Sequence, residues 1–225
     1  MTLRTCFLGA LNVLELAKNL GARVLQASTS EIYGDPLIHP QFEDYNGSVD
    51  ITGPRACYDE GKRIAETLFF DYKRKYGVNI CVVRIFNTYG PNMLINDGRV
   101  IPNFIAQALQ DKDITVYGNG LQTRSFCYID DLVSGLITAM GKNNFSGPIN
   151  LGNPYEMTIL DLANLIIKLI NSNSNIIHMK LPMNDPAHRK PDIEMARAVL
   201  GWRPHTSIEE GLEKTIEYFK EKYKF

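Results

Sequence analysis

Tyr58 and Lys62 stand four residues apart in Cys57-Tyr58-Asp59-Glu60-Gly61-Lys62-Arg63, a spacing that puts both side chains on one face of a helix. A phenol titrates near pH ~10, and a neighbouring cation favours phenolate, which brings a general base toward working pH. The same spacing also arises by chance, as a surface tyrosine beside a solvated lysine. Two further polar groups flank the pair, Ser28-Thr29-Ser30-Glu31 after one apolar run and Asn87-Thr88-Tyr89-Gly90-Pro91 after another. Asn87, Arg99 and Arg124 are candidate diphosphate or sugar contacts, because a guanidinium fork matches phosphate oxygens and a side-chain amide donates to them. A lone arginine is more often part of a surface ion pair. Tyr117 and Gln122 are weaker candidates, with a core or hairpin role open for Tyr117.

These groups need elements to hold them. Leu3 to Leu20 carries apolar side chains on nearly every face, which predicts a deeply buried helix packed on two sides and closed at Gly21. Val24 to Ala27 reads as a strand that delivers Ser28 to Glu31 at its carboxyl end, and a long loop with Pro36, Pro40, Gly47, Gly53 and Pro54 follows. A helix from Arg55 to Tyr76, ended by Gly77, and a strand from Ile80 to Phe86 complete an alternating pattern. That pattern predicts an α/β chain with a parallel sheet, and such sheets bind ligands beyond the carboxyl ends of their strands. Later residues change character. Short helices (Pro102–Gln110, Asp131–Met140, Ile159–Asn171) alternate with brief strands (Ile114–Tyr117, Phe126–Tyr128) and the Gly118-Asn119-Gly120 turn, forming a smaller, irregular lobe. Ser207 and Glu210 are spaced as a capping box for a helix to Tyr223, Trp202 is assigned to packing, and Asn171 to Asn175 reads as a flexible loop.

Composition narrows the functional classes. The chain has 225 residues, 44% hydrophobic and 22% charged, which suits a folded globular protein of about one and a half domains. Its 24 basic and 25 acidic residues give a net charge of −1 with no like-charge block, so nucleic acid is a poor partner. No apolar run reaches the roughly 20 residues that span a bilayer, and the first residues lack the layout of a secretory signal. The expectation is a cytosolic protein with no membrane partner. Four scattered cysteines and four histidines without ligand spacing predict free thiols and no metal site.

The order and spacing of these segments resemble the extended short-chain dehydrogenase/reductases that act on nucleotide sugars. Ala27 to Pro36, Gly53 to Arg63, Arg84 to Pro91, Gln122 to Phe126, Arg189-Lys190-Pro191-Asp192-Ile193 and Leu200-Gly201-Trp202 look, within them, like the UDP-glucuronic acid decarboxylase family, and the likeness covers essentially the whole chain. The resemblance implies NAD as cofactor and a UDP-sugar as substrate. It implies Tyr58 as the base at the sugar's 4-hydroxyl, with Lys62 lowering its pKa and bonding the cofactor ribose, and Thr88 near the nicotinamide half. Thr29 would hold the 4-oxygen, Ser30 and Glu31 would lie beside C4 and C5, and Arg189 would protonate the enolate at C5 or orient a water that does. Related 4,6-dehydratases carry an Asp-Glu pair where this chain has Ser30-Glu31, and epimerases usually lack the glutamate. A dehydratase or epimerase remains the alternative, as does a non-catalytic nucleotide-sugar-binding or dimerisation protein.

The resemblance also implies an organisation. Residues 1–98 would be the remainder of a doubly wound, Rossmann-type NAD-binding domain, and 99–225 mainly a smaller α+β nucleotide-sugar lobe with some segments returning to the sheet. The family's strand, glycine-rich turn and helix that receive the pyrophosphate have no counterpart in this sequence, whose Gly118-x-Gly120 lacks a following helix. The first β-α units are therefore expected to be absent, and the chain alone to be inactive and to bind NAD weakly or not at all. The helices Leu3–Leu20 and Arg55–Tyr76 would pair with their copies in a homodimer.

Overall fold

The computed structural model describes residues 1–180 and 188–224. In chain order these form α1 (Thr2–Leu20), β1 (Val24–Thr29), a 3₁₀ turn (Ser30–Tyr33), α2 (Ala56–Tyr76), β2 (Ile80–Ile85), β3 (Thr88–Tyr89) and α3 (Val100–Leu109). The order continues with β4 (Ile114–Tyr117), β5 (Thr123–Ser125), β6 (Cys127–Tyr128), α4 (Ile129–Gly141), β7 (Ile149–Leu151), β8 (Glu156–Thr158) and α5 (Ile159–Ile170). It closes with β9 (Ile176–Met179), β10 (His188–Arg189), a π turn (Ala196–Leu200) and α6 (Ile208–Tyr223).

The fold is Rossmann-like. A parallel sheet runs β1-β2-β7, with Val24 opposite Ile80 and Val83 opposite Ile149. Ile80 to Val83 are fully buried because both sheet faces are covered. On one face α1 and α2 bring Leu14, Ala17, Ala65 and Phe69 against Val82. On the other, α4 and the π turn bring Leu132, Ala196 and Trp202 against Cys81, Val83 and Ile149. Trp202 packs as expected, and its indole N–H donates to the Asp131 carbonyl at 2.9 Å.

The helices end where their sequences say they should. Gly21 and Gly77 take left-handed backbone at φ 63° and 68°, which lets each amide close the last turn on Ala17 and Lys73. Ser207 Oγ accepts from the Glu210 amide at 3.1 Å, while the Glu210 carboxylate takes Lys214 instead of completing a box. β1 runs two residues past the expected Ala27, so Thr29 is its last residue and Ser30 opens the 3₁₀ turn. The 171–175 segment is not loose: Ser172 Oγ and the Asn173 amide both donate to Asp111 Oδ1, at 2.9 and 2.8 Å.

The expectation for the first helix needs correction. Only Ala10, Leu14 and Ala17 of α1 are buried, and Leu3, Val13, Leu16 and Leu20 are 46–70% exposed. The reason is topological. β1 is the edge of the described sheet, so α1 rests mainly on α2 and β1 and its remaining apolar sides stay exposed.

A second core joins α3, α5, α6 and β4 through Phe104, Ile105, Val116, Leu162, Ile166, Leu212 and Phe219. Two small sheets, β10-β5-β8 and β4-β9, border it. Gly211 lets α6 approach this core: a Cβ there would lie 2.1 Å from the Tyr89 hydroxyl.

Between the sheet and the site lies a buried polar network. Arg84 on β2 donates through Nη2 to Glu66 Oε2 at 2.9 Å and through Nη1 to the Glu43 carbonyl at 2.7 Å and the Tyr33 hydroxyl at 3.0 Å. Tyr33 in turn donates to Asn150 Oδ1 at 2.8 Å, and the Asn150 amide donates to Glu43 Oε1 at 2.8 Å. Burial pushes the Tyr33 phenol up to about 12, so it stays a donor. These bonds tie α2, β2, β7 and the 41–45 loop together beneath the 3₁₀ turn.

Candidate active site

A cleft of about 830 Å³ opens at the carboxyl ends of β1 and β2. Every residue singled out from the sequence lines it: Thr29, Ser30 and Glu31 from the first strand end, Tyr58 and Lys62 from α2, and Asn87 and Thr88 from the second strand end. Arg99, Tyr117, Gln122, Arg124 and Arg189 close it from the lobe. This is where a parallel sheet leaves room for a ligand, because each strand stops and its connection turns away.

Thr29 caps the 3₁₀ turn by accepting the Glu31 amide at 3.2 Å, which fixes the direction of the next two side chains. Ser30 is buried beside it. Tyr58 is 38% exposed at the cleft wall, with Thr29 alongside. Burial pushes its phenol above the ordinary range, and the Thr29 hydroxyl beside it opposes that. The expected lowering by Lys62 is not what holds the phenol in this structure. The Lys62 ammonium lies 5.8 Å from the centre of the Tyr58 ring and donates to the Ala27 carbonyl at 2.9 Å.

Glu31 is the electrostatic centre. Its Oε1 accepts from Arg189 Nη1 at 2.9 Å and its Oε2 accepts from Arg55. Burial pushes its carboxyl up, but the two guanidiniums outweigh burial and hold it below the usual carboxylate range. Arg189 is only 8% exposed, on β10, and is placed by pairing with Arg124 across β5. Arg55 has no function in the sequence reading. Its position one turn before Asp59 on the helix that carries Tyr58 was the available signal. Asp59, next to Tyr58, is buried too, and its Oδ1 has no hydrogen-bond partner.

At the other end of the cleft the polar groups are partly engaged. Arg99 Nη2 donates to Asp97 Oδ2 at 2.8 Å, so a ligand phosphate would compete with that carboxylate. Arg124 is buried, with Nη1 on the Thr123 carbonyl at 2.8 Å. Gln122 braces the turn by donating to the Tyr117 carbonyl at 2.8 Å, which leaves the Tyr117 ring exposed over the cleft. Thr88 Oγ donates to the Phe86 carbonyl at 2.9 Å.

Residues 1–152 match the model of the NAD dependent epimerase/dehydratase family. The chain belongs to that family. Curated relatives include UDP-glucuronic acid decarboxylase 1 of Danio rerio, 56% identical over 97% of this chain and 52% of that protein. UDP-glucuronic acid decarboxylase 3 of Arabidopsis thaliana is 55% identical over 97% of this chain and 64% of that protein. The chain thus spans about half to two thirds of the length of these relatives. Among solved structures, UDP-glucuronic acid 4-epimerase from Bacillus cereus in complex with UDP-glucuronic acid and NAD superposes with a TM-score of 0.87 at 28% identity, covering 97% of this chain and 68% of that one. Epimerase Mth375 from Methanothermobacter thermautotrophicus gives 0.90 at 27% identity, covering 99% and 66%.

The donor set fits part of the family's cofactor. Lys62 uses one of its three N–H donors on Ala27 and, with Tyr58, faces the cleft, which suits a ribose and the ring it carries. No strand, glycine-rich turn and helix N-terminus that would take a diphosphate occurs among the described residues. Those residues also hold no cluster of metal-ligating side chains and no helix long and apolar enough to cross a membrane.

Proposed function

We propose that this chain carries the catalytic and sugar-binding part of a UDP-glucuronate decarboxylase that yields UDP-xylose through a 4-keto intermediate. The observation that carries the reading is the convergence of Arg189 and Arg55 on Glu31, beside Tyr58. A guanidinium there would attract the carboxylate of an acidic sugar, and a serine at residue 30 stands in place of a second carboxylate that would repel it. The relatives at 51–56% identity support the same reading.

NAD, when bound against Tyr58 and Lys62, supplies the hydride acceptor and donor at C4. Tyr58 takes the proton of the 4-hydroxyl, with Thr29 orienting both oxygens. A ketone at C4 makes the C5 carboxylate that of a β-keto acid, so its carbon leaves as carbon dioxide while the electron pair flows into the carbonyl. Arg189 holds the carboxylate and stabilises the enolate. Asn87, Arg99 and Arg124 hold the diphosphate. A 4-epimerase that keeps the carboxylate is the second reading, favoured by the likeness to the Bacillus cereus enzyme; it predicts a six-carbon product from the same substrate.

Calorimetry on the 225-residue chain tests the ligand assignment. UDP-glucuronate should bind more tightly than UDP-glucose, and NAD weakly or not at all. The few hydrogen bonds available to NAD from Tyr58, Lys62 and Thr88, about 0.5–1.5 kcal/mol each, do not offset the freedom lost on association. Equal affinities for the two sugars would sink the carboxylate assignment, and tight NAD binding would mean the cofactor site lies elsewhere.

We also infer a homodimer built on α1 and α2. Leu3 and Phe7 of α1 and Ile64 of α2 form exposed apolar surface, and close approach of the two helices at Gly61 keeps them side by side. Sedimentation equilibrium at micromolar concentration should give a dimer that Leu3→Glu/Ile64→Glu dissociates; a monomeric parent would refute it. Four free thiols, two of them buried, suit a reducing compartment, and the cytosol is the proposed setting.

A further inference from the structure

A β-strand turns successive side chains to opposite faces. In the small sheet β10-β5-β8, Arg189 and Arg124 stand opposite each other and both line the cleft. Their neighbours in sequence therefore face the other way. His188 on β10 stands opposite Thr123 on β5, and Ser125 on β5 stands opposite Glu156 on β8. That reverse face carries a connected polar group that the chemistry of the cleft does not use.

Glu156 is its centre. Its Oε1 accepts from the Thr123 hydroxyl at 2.7 Å, and its Oε2 lies 3.0 Å from His39 Nε2 and 3.7 Å from Lys190 Nζ. Thr123 Oγ1 also lies 2.8 Å from His188 Nδ1. A hydroxyl has one proton to give. Thr123 gives it to the carboxylate, so its oxygen accepts from His188, which carries a proton on Nδ1. Burial pushes the Glu156 carboxyl up, but the Thr123 hydroxyl, His39 and Lys190 outweigh burial and hold it below the usual range. It therefore remains an acceptor at neutral pH. The His39 and His188 rings, 5.4 Å apart between centres, close the group on its outer side.

Glu156 thus reaches β10 on both sides of Arg189, through Thr123 to His188 and directly to Lys190. The strand has need of such a hold, since it is two residues long and pairs with β5. After Arg189 the backbone is also fixed by Gln41, whose amide donates to the Lys190 carbonyl and whose Oε1 accepts from the Lys190 amide, both at 2.9 Å. Ahead of Arg189, His188 is held by its bond to Thr123.

We propose that Glu156 is a positioning residue for Arg189: by holding His188 and Lys190 on the reverse face of the sheet, it fixes where the Arg189 guanidinium meets Glu31 in the cleft. Glu156 is not among the residues that line the cleft and acts through the backbone of β10. The consequence for substrate choice rests on the decarboxylase reading. A guanidinium already held in place binds a sugar carboxylate without first being ordered, whereas a loosened β10 costs affinity for an acidic sugar and spares a neutral one. The competing account is a surface cluster of little value, as exposed ion pairs often are.

The test is a carboxyl ¹³C titration of Glu31 in the 225-residue chain, its resonance identified by loss in Glu31→Gln. Burial pushes Glu31 up and Arg189 and Arg55 pull it down, with Asp59 and Tyr58 on α2 near enough to feel its charge. Arg189→Met removes one cation and sets the full upward shift, about one unit or more; Glu156→Leu should reproduce at least about half of it. His188→Leu should also raise the midpoint, and His188→Asn, whose side-chain amide keeps a donor for Thr123, should not. The His188 pair carries the test should Glu156→Leu not fold. An unmoved Glu31 in a folded Glu156→Leu or His188→Leu overturns the proposal, and so does an equal shift in both His188 variants. Calorimetry separates this from the reading of the cleft: Glu156→Leu should narrow the preference for UDP-glucuronate over UDP-glucose and leave UDP-glucose affinity unchanged. If Glu31 shifts but the parent chain binds both sugars equally, the positioning role stands and the acidic-substrate reading falls. If the parent prefers UDP-glucuronate and Glu156→Leu alters neither that preference nor Glu31, the positioning role falls alone.

Discussion

Tyr58→Phe lowers turnover of UDP-glucuronate by about 10²–10⁴-fold, the range that a positioned general base contributes. The measurement requires a polypeptide that joins this chain to a strand, glycine-rich turn and helix able to hold NAD. The phenol is the group that reaches the cleft from α2 with a hydroxyl neighbour, Thr29, able to share a proton. Phenylalanine keeps the ring and its packing while removing the oxygen, so KM should change little and kcat should carry the loss. Burial raises the phenol, so the active phenolate has to be favoured by positive charge brought close to it. Near-normal kcat in the variant would show that another group removes the proton.

Arg84→Ala should cost about 3–5 kcal/mol of folding stability, because it leaves a buried carboxylate without its cation. Arg84 and Glu66 are 10% and 9% exposed at their side chains and 2.9 Å apart, and the same guanidinium also serves the Glu43 carbonyl and the Tyr33 hydroxyl. For a chain of this size that loss corresponds to roughly 6–20 °C in the unfolding midpoint. The double variant Arg84→Met/Glu66→Leu should recover much of it, since apolar replacement removes the stranded charge as well as the pair. Urea denaturation of the single variant showing a loss below ~1 kcal/mol, the value of an exposed pair, would mean that water reaches this network.

The sheet and its helices were legible because their signals are local. Gly21, Gly77 and Ser207 mark helix ends by backbone and capping chemistry that acts within one turn. The run Ile80-Cys81-Val82-Val83 announces a strand covered on both faces. Short strands such as β7 and β10 were missed because two or three residues carry no period. They are strands only because a distant partner, β2 or β5, lies alongside. The apolar helix α1 misled in the opposite sense: hydrophobicity shows that a face needs covering and says nothing about what covers it. The motif residues do meet in one cleft. Arg55 escaped notice because its meaning lies in its ion pair with Glu31, 24 positions away in the sequence, and no spacing rule reaches across a loop of that length.

The bond between Glu31 and Arg189 joins residues 158 positions apart. During synthesis, Tyr58 and Lys62 on α2, and the β1 strand end they adjoin, emerge well before Arg189 leaves the ribosome. A contact of such range forms late, because the loop it closes must first be ordered by everything between its ends. A chain halted short of residue 189 would carry the tyrosine and lysine but lack one of the two cations that restrain Glu31. The charge balance of the cleft is thus completed only when β10 docks onto β5.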